Sequence, residues 1–247
     1  MNDSNLYKCF MIVFDKDKKR VNNYNEINSK LDNLIIRYSA IDTINDYDKW
    51  ATYAIKYNYT TQKYLDTKVK TEGRGKLGCN LSHQLLFRDI IVREDKEEYN
   101  TANTNWFLIL EDDVGIKKHV TAKKFDRFLK SLIYDLEEHA PNTKFIQLCI
   151  YDQFYAKQCS SSKIFNVKNT FYKVPQYGTC AYLIHRDAIN IVNKMKPFSD
   201  NIDFIYNSLD SKFKSGATIN DIFYCRGSID SQDHNSEFGS LIWDNKG

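Results

Sequence analysis

Short apolar runs, each bounded by charged or turn-forming residues, recur along the chain and predict buried β-strands. These runs are "KCFMIVF" (8–14), "LIIRYSAI" (34–41), "WFLIL" (106–110), "KFIQLCIY" (144–151) and "CAYLIH" (180–185). They are only five to eight residues long and rich in β-branched and aromatic residues, so strands are favoured over helices. The pattern therefore predicts five strands.

Segments with helical periodicity alternate with these runs. They are 18–31, 73–95, 121–140 and 186–195. The clearest is 121–140, where Thr121 is a suitable N-cap and the apolar stripe consists of Phe125, Phe128, Leu129, Leu132 and Leu136. Alternating strands and helices predict an α/β fold with a mostly parallel central sheet flanked by helices. No change of composition marks a boundary, so we expect a single domain over residues 1–247.

Composition narrows the class of protein. The chain has 247 residues, of which 42% are hydrophobic and 14% aromatic, enough for a substantial core. The net charge of +3 is spread over intermixed basic and acidic residues, which argues against nucleic acid as a partner. Neither a signal peptide nor a transmembrane segment is evident, so a cytoplasmic protein is expected. None of the six cysteines forms a C-x-x-C pair, which argues against a structural zinc site.

Three consecutive carboxylates, Glu111, Asp112 and Asp113, follow the apolar run 106–110. In an open α/β sheet, ligands bind beyond the carboxyl ends of the strands. Adjacent carboxylates repel one another, and a divalent cation relieves that repulsion. Magnesium and manganese prefer oxygen ligands and are commonly shared with substrate phosphates. The triplet therefore favours a metal–diphosphate site, although a solvated strand end is the alternative.

A second cluster, "GRGKLGCNLSH" (73–83), places glycines and Lys76 at the start of a helix. Helix N-termini attract anions through unpaired backbone N–H groups and the positive end of the helix dipole. The spacing matches neither a P-loop nor a G-x-G-x-x-G fingerprint. By itself, the cluster is a weak indication of phosphate binding.

Together, the two clusters resemble glycosyltransferase family 25, the lipopolysaccharide and collagen-type sugar transferases. The family's G-x-x-G-C-x-x-S-H stretch and its strand ending in L-E-D-D are matched here by Gly75, Gly78, Cys79, Ser82, His83, Leu110, Glu111, Asp112 and Asp113. Two further stretches are similar to the family: the opening strand with Ala40 and Asp42 after the next strand, and "YGTCAYLIHRDAINIV" (177–192) with Gly178, Thr179 and Tyr182.

The resemblance implies a GT-A type fold, with a nucleotide-sugar half over about 1–150 and an acceptor half over about 151–247. It implies transfer of a hexose, galactose or glucose, from a UDP-sugar to a hydroxyl, with inversion and usually with manganese. The acceptor could be a glycan, lipopolysaccharide or hydroxylysine of a protein. The short chain is more similar to bacterial or viral members of the family than to the longer collagen-modifying ones.

The acidic triplet supplies the predicted metal ligands for Mn²⁺ or Mg²⁺. Asp113 is the first choice as direct ligand, with Glu111 beside it, because alternate residues of an extended chain point to the same side. Asp112 then points the other way, towards ribose or backbone N–H groups. His234, in "SIDSQDHNSEF" (228–238), is a further candidate ligand, with Asp230 and Asp233 in the same segment.

Donor contacts are predicted for the glycine-rich helix start and for residues near the first two strands. The predicted cofactor-binding residues are Asp42, Gly75, Lys76, Gly78, Ser82, His83 and Asp112, and Arg20 is placed near the nucleotide. Ser82 and His83 do not form a nucleophile–base pair, because adjacent helical residues point about 100° apart. We expect them to hold the helix against the sheet or to contact the donor.

An inverting transfer needs a general base near the acceptor hydroxyl. Asp200, Asp203 and Asp221 are candidates, and of these Asp203 and Asp221 are the predicted catalytic residues. Two other functions remain open. One is a non-catalytic nucleotide-sugar-binding module with the same fold, and the other is a nucleotidyltransferase that uses the same metal–diphosphate chemistry.

Overall fold

The computed structural model describes residues 6–95, 99–149, 163–166, 170–172, 179–202, 214–218 and 220–226. The strands are β1 (Tyr7–Val13), β2 (Ile35–Ser39), β3 (Trp106–Glu111), β4 (Val114–Ile116), β5 (Thr143–Gln147), β6 (Lys163–Asn166), β7 (Thr170–Tyr172), β8 (Ala181–His185), β9 (Lys214–Thr218) and β10 (Phe223–Cys225). The helices are α1 (Lys18–Lys30), α2 (Tyr47–Lys56), α3 (Gln62–Tyr64), α4 (Lys70–Glu72), α5 (Gly75–Val92), α6 (Ala122–His139) and α7 (Arg186–Lys194), and a π-helical turn (Leu65–Val69) joins α3 to α4.

The described strands form an eight-stranded mixed sheet in the order β2-β1-β3-β8-β5-β9-β7-β6. Six of them run in one direction, whereas β8 and β7 run in the opposite direction. The α/β class and the flanking helices are therefore confirmed, and the sheet is mixed, with three parallel and four antiparallel pairings among the described strands. The short strands β4 and β10 pair antiparallel in a separate two-stranded sheet.

The alternation of side chains along the central strands divides the core into two layers. On β3, Leu108 and Leu110 belong to a cluster that includes residues of α1 and α6. Phe107 and Ile109 belong to the cluster on the opposite face, which includes residues of α5 and α7. Because both faces of the central strands are covered, these strands are apolar over most of their length, which explains why they appear in the sequence as apolar runs.

The local signals for α6 act as the sequence predicts. The Thr121 hydroxyl accepts a hydrogen bond from the backbone N–H of Lys124 at 3.3 Å, so it caps the helix. Phe125, Leu129 and Leu136 of the predicted stripe are fully buried. None of the helices in the described ranges is long and apolar enough to cross a membrane.

Several elements lie outside the predicted set. The helical residues between β2 and α5, namely α2 to α4, have no counterpart in the sequence analysis. The strand pair β4–β10 also went unpredicted, because β4 has only three residues and its partner is over 100 positions away. The division into a donor half and an acceptor half stays a prediction.

Candidate functional site

A pocket that is open to solvent lies at the carboxyl edge of β1, β2 and β3. It is lined by Ile12, Phe14, Arg20, Ala40, Ile41, Thr43, Ile44, Gly75, Gly78, Cys79, Ser82, His83, Glu111, Asp112 and Asp113. The three strands are parallel neighbours, so the segments that follow them converge at one edge. The start of α5 closes the remaining side.

The start of α5 fits closely against the segment that follows β2. A Cβ atom on Gly78 would lie 2.6 Å from the Thr43 hydroxyl oxygen and 2.7 Å from the Ile41 carbonyl oxygen. One turn later, the Ser82 hydroxyl accepts a hydrogen bond from the Ile41 N–H at 2.8 Å and donates to the Gly78 carbonyl at 2.6 Å. Gly78 is thus required for close approach, and Ser82 holds the helix beside β2 as expected.

Asp112, which also lines the pocket, joins β3 to the loop after β1. It is 5% exposed and forms an ion pair with Arg20. Its Oδ2 atom also accepts a hydrogen bond from the Phe14 N–H at 2.6 Å. The Asn23 amide donates to the carbonyl oxygens of Asp112 and Val114, both at 2.8 Å. These contacts give Asp112 and Arg20 a structural role at the pocket wall, whether or not they also contact a nucleotide.

Glu111 is held by three side chains from two other parts of the chain. His83 Nε2 lies 2.9 Å from Glu111 Oε1, and the Thr179 hydroxyl donates to the same oxygen. The Cys79 thiol is 3.7 Å from this oxygen. Behind the imidazole, the Tyr182 hydroxyl lies 2.6 Å from His83 Nδ1. Three of the four sequence stretches that carry the family resemblance therefore meet in one hydrogen-bonded network.

The partners of His83 determine its tautomer. An ionised carboxylate only accepts hydrogen bonds, so Nε2 carries the proton and donates it to Glu111. Nδ1 then accepts from the Tyr182 hydroxyl. Burial would raise the pKa of Glu111, but the hydrogen bonds from His83 and Thr179 outweigh burial and lower the pKa below the usual value. Glu111 is therefore held as a carboxylate.

Asp113 has the opposite electrostatic environment. Its Oδ1 atom is buried and has no hydrogen-bond partner among the described residues. Burial raises the pKa of Asp113 well above its usual value, and the nearby Cys225, Glu111 and Asp112 raise it further. A buried carboxylate oxygen without a donor costs free energy, and a bound cation would remove that cost. Asp113 is therefore better suited than Glu111 or Asp112 to bind a metal ion.

Other predicted residues lie around or outside the pocket. Asp42 pairs with Lys16 at 2.7 Å, and its Oδ1 accepts from the N–H groups of Ile44 and Asn45, so it shapes the loop that lines the pocket. Burial would raise the pKa of Asp42, but the hydrogen bonds from Asn45 and Lys16 lower it to about 2. Lys76 pairs with Glu72.

Of the candidate general bases, Asp200 and Asp221 belong to the described residues, and neither lines the pocket. Asp221 is exposed and pairs with Lys117 and His119. The hydrogen bond from Lys117 lowers the pKa of Asp221. Asp203 and the candidate metal ligand His234 lie outside the described residues.

The comparison with protein-family models decides the family. Residues 7–206 match the model of glycosyltransferase family 25, described as an LPS biosynthesis protein family. The chain belongs to glycosyltransferase family 25. The match includes the glycine-rich helix, the acidic triplet and the segment from Thr179 to Tyr182, so the network around Glu111 is built from this family's own stretches. The protein is accordingly a glycosyltransferase.

The other comparisons add little to this family assignment. A search of curated proteins gave no match. One similar solved structure is the "crystal structure of a glycosyltransferase involved in the glycosylation of the major capsid of PBCV-1", with 12% identity and a TM-score of 0.42. The alignment covers 89% of this chain and 92% of that chain. Both identity and TM-score are too low for that protein's substrate to bear on this family 25 chain.

Some residues of the site had no role in the sequence analysis. Cys79, Thr179 and Tyr182 appeared there only as motif positions, yet the structure places all three in the network around Glu111. The role of Asn23, which holds the backbone after β3, was not predicted. A single polar residue in a polar helix is not distinguished from its neighbours by the sequence.

Proposed function

We propose that this family 25 protein transfers a hexose, galactose or glucose, from a UDP-sugar to a hydroxyl group, with inversion and with Mn²⁺ or Mg²⁺. The observation that carries the proposal is the position of Asp113. Its Oδ1 atom is buried without a hydrogen-bond partner among the described residues, and Asp113 lines the same pocket as the start of α5. A cation ligand beside a helix N-terminus is the arrangement that a nucleoside diphosphate needs.

The contribution of α5 to the binding of the diphosphate is mainly its dipole. The backbone N–H groups of Lys76, Leu77 and Gly78 donate to the carbonyl oxygens of Gly73 and Arg74, at 3.1 to 3.4 Å. They are therefore already engaged within the turn. The 18-residue helix still directs the positive end of its dipole at the pocket, which favours a negative charge there.

The three residues of the acidic triplet have different proposed roles. Asp113 would hold the cation, and Glu111 is positioned by His83 and Thr179 beside it. When bound, a divalent cation supplies Lewis-acid stabilisation of the leaving diphosphate. Asp112, which is tied to Arg20, fixes the backbone from which both neighbouring side chains project.

For the general base we favour Asp203 over Asp221. A base in this reaction must lie within hydrogen-bond reach of the acceptor hydroxyl and must accept its proton. Asp221 is exposed, and its pKa is lowered by the hydrogen bond from Lys117, which makes it a weaker base. The acceptor is proposed as a glycan, a lipopolysaccharide or a hydroxylysine, which are the classes that the family resemblance implies.

The test is release of UDP from a panel of UDP-sugars with Mn²⁺, with and without EDTA. Wild type is compared with Asp113→Ala, and with Asp48→Asn as a control that removes one exposed carboxylate of α2. We expect EDTA-sensitive release from one UDP-hexose that is lost in Asp113→Ala and kept in Asp48→Asn.

Other results would support the alternative functions. Manganese-dependent binding of UDP-sugar with no turnover in the presence of any acceptor would indicate a non-catalytic binding module. Release of pyrophosphate or UMP instead of UDP would indicate a nucleotidyltransferase, because a different bond has then been broken.

A further inference from the structure

Three cysteines from distant parts of the chain converge on Asp113. Cys149 follows β5, Cys180 precedes β8 and Cys225 ends β10. The ligand atoms of Asp113, Cys180 and Cys225 all lie within 4.8 Å of one another. The Cys149 thiol is in hydrogen-bonding contact with both other thiols. One carboxylate oxygen and two sulfur atoms therefore lie close together, and the Cys149 thiol adjoins both sulfur atoms.

Packing alone does not account for this cluster. Buried cysteines often act as small apolar side chains, and Cys149 and Cys180 are 2% and 0% exposed. An apolar cluster, however, has no need for a carboxylate beside it. The buried Oδ1 of Asp113 has no hydrogen-bond partner among the described residues, and Cys225 lies 4.0 Å from its Oδ2. No disulfide joins the described cysteines.

The set of donor atoms indicates the class of ion. Thiolates select soft or borderline metals such as zinc, whereas magnesium and manganese prefer all-oxygen sites. A tetrahedral zinc ion with Zn–S bonds of about 2.3 Å holds its sulfur ligands about 3.8 Å apart. Ligand atoms that already lie within 4.8 Å need only a small contraction to reach that spacing.

We propose that Asp113, Cys180 and Cys225 form a binding site for a thiophilic divalent cation of the zinc class, with the adjacent Cys149 thiol as its fourth ligand. On binding, each coordinating thiol releases its proton to solvent and the thiolate sulfur donates the bond to the metal. The sequence lacks a C-x-x-C pair and therefore does not predict a structural zinc site. The structure assembles the site from residues 31 and 45 positions apart (149 to 180, and 180 to 225), which no local motif reveals.

The expected effect of zinc on activity is the one part of this inference that rests on the proposed function. Asp113 belongs both to this site and to the proposed site of the donor cation. A zinc-class ion held by the thiols would engage Asp113 and withdraw it from the donor diphosphate. Zinc is therefore expected to inhibit sugar transfer in competition with manganese.

Cobalt(II) is the probe for the site, because cobalt bound to thiolates absorbs in the near ultraviolet. The reduced full-length protein is titrated with Co²⁺, and then with Zn²⁺. We expect one Co²⁺ per chain with a thiolate charge-transfer band, displaced by one equivalent of Zn²⁺. Cys225→Ser is expected to weaken Co²⁺ binding by more than about tenfold and to reduce the band.

Cys79→Ser is the matched control. Cys79, His83 and Glu111 form the other cluster of possible ligands within 4.8 Å, and it contains a single thiol. If cobalt binds there instead, Cys79→Ser abolishes the band, Cys225→Ser keeps it, and the proposal is overturned. Circular dichroism of each variant confirms that it is folded.

Wild-type protein alone also decides the question, without relying on the folding of any variant. Absence of a thiolate band in reduced, folded wild type overturns the site. The result is independent of the proposed function, because the cobalt titration needs no sugar donor. A protein that binds cobalt as described but releases no UDP would retain this inference and lose the proposed transferase reaction.

Discussion

His83 Nε2 lies 2.9 Å from Oε1 of Glu111, which joins helix α5 to the last residue of β3. The two residues belong to the two stretches on which the family resemblance chiefly rests. Their hydrogen bond is charge-assisted, since Glu111 is held as a carboxylate. The orientation of the acidic triplet therefore depends on the position of α5.

His83→Ala is expected to disable the site and to destabilise the fold. It removes one of the buried donors to Glu111 and the His83 acceptor of the Tyr182 hydroxyl, at a cost of about 1–3 kcal/mol in the free energy of unfolding. We expect UDP release to fall steeply. Urea denaturation and the UDP-release assay measure the two effects.

Tyr182→Phe separates the two contacts of His83. It removes the donor to Nδ1 but leaves the hydrogen bond from Nε2 to Glu111, so activity should fall less than in His83→Ala. His119→Ala, which changes an exposed histidine, is the control. Full activity in a folded His83→Ala protein would show that the network does not support the reaction.

Glu111→Gln and Asp113→Asn should differ in their dependence on metal. Asp113 is the proposed direct ligand, so its variant should need far more Mn²⁺ for half-maximal activity. Glu111→Gln should lower the maximal rate with little change in the Mn²⁺ requirement, because its Oε1 is occupied by protein donors. Mn²⁺ titrations of UDP release test this, and the reverse pattern would exchange the two roles.

Arg20→Met should destabilise the protein strongly, because it leaves Asp112 as an unpaired buried charge. Breaking such a pair typically costs about 3–5 kcal/mol. Arg37→Met is the matched control, because the side chains of Arg37 and its partner Asp15 are 36% and 43% exposed. Exposed pairs contribute less than about 1 kcal/mol. Similar urea midpoints for both variants would contradict the structural role of the Arg20–Asp112 pair.

His185 should make the protein less stable in mild acid. Burial, together with the neighbouring Lys144, lowers the pKa of His185 from 6.5 to about 4. Between these two pH values the unfolded state binds the proton and the folded state does not, so stability falls as the pH drops from 6.5 towards 4. Above pH 6.5 this effect is absent.

His185→Asn removes the titrating group but keeps a side-chain acceptor at the N-cap of α7, where His185 Nδ1 accepts from the Asp187 N–H at 3.1 Å. The loss of melting temperature between pH 7 and pH 5 should therefore be smaller in this variant than in wild type. His119→Asn should behave like wild type. An unchanged pH dependence in His185→Asn would assign the acid sensitivity to other groups.

The sequence predicts well those features that are recorded in local patterns. The five apolar runs are all strands, and the helix over 121–140 begins at the predicted cap, because a fully buried strand and a one-sided helix impose periods on their own residues. The pocket was also predictable, since the carboxyl ends of neighbouring parallel strands meet at one edge.

The contacts made within the site were not predictable in the same way. That Glu111 is held by Thr179, and Asp113 surrounded by thiols, depends on β8 running antiparallel between β3 and β5. Strand direction leaves no trace in the apolar pattern of a strand buried on both faces. The same limit applies to β4 and β10, whose pairing brings Cys225 near Asp113.

The position of Thr179 late in the chain also affects when the site can form during synthesis. Glu111 and Thr179 are 68 positions apart in the chain. At a typical rate of 5–20 residues per second, the ribosome needs roughly 3–14 s to make the intervening residues. Through that interval the nascent chain carries its acidic triplet without the hydroxyl that later binds Glu111. The site can therefore assemble only after the ribosome has synthesised the segment that contains Thr179.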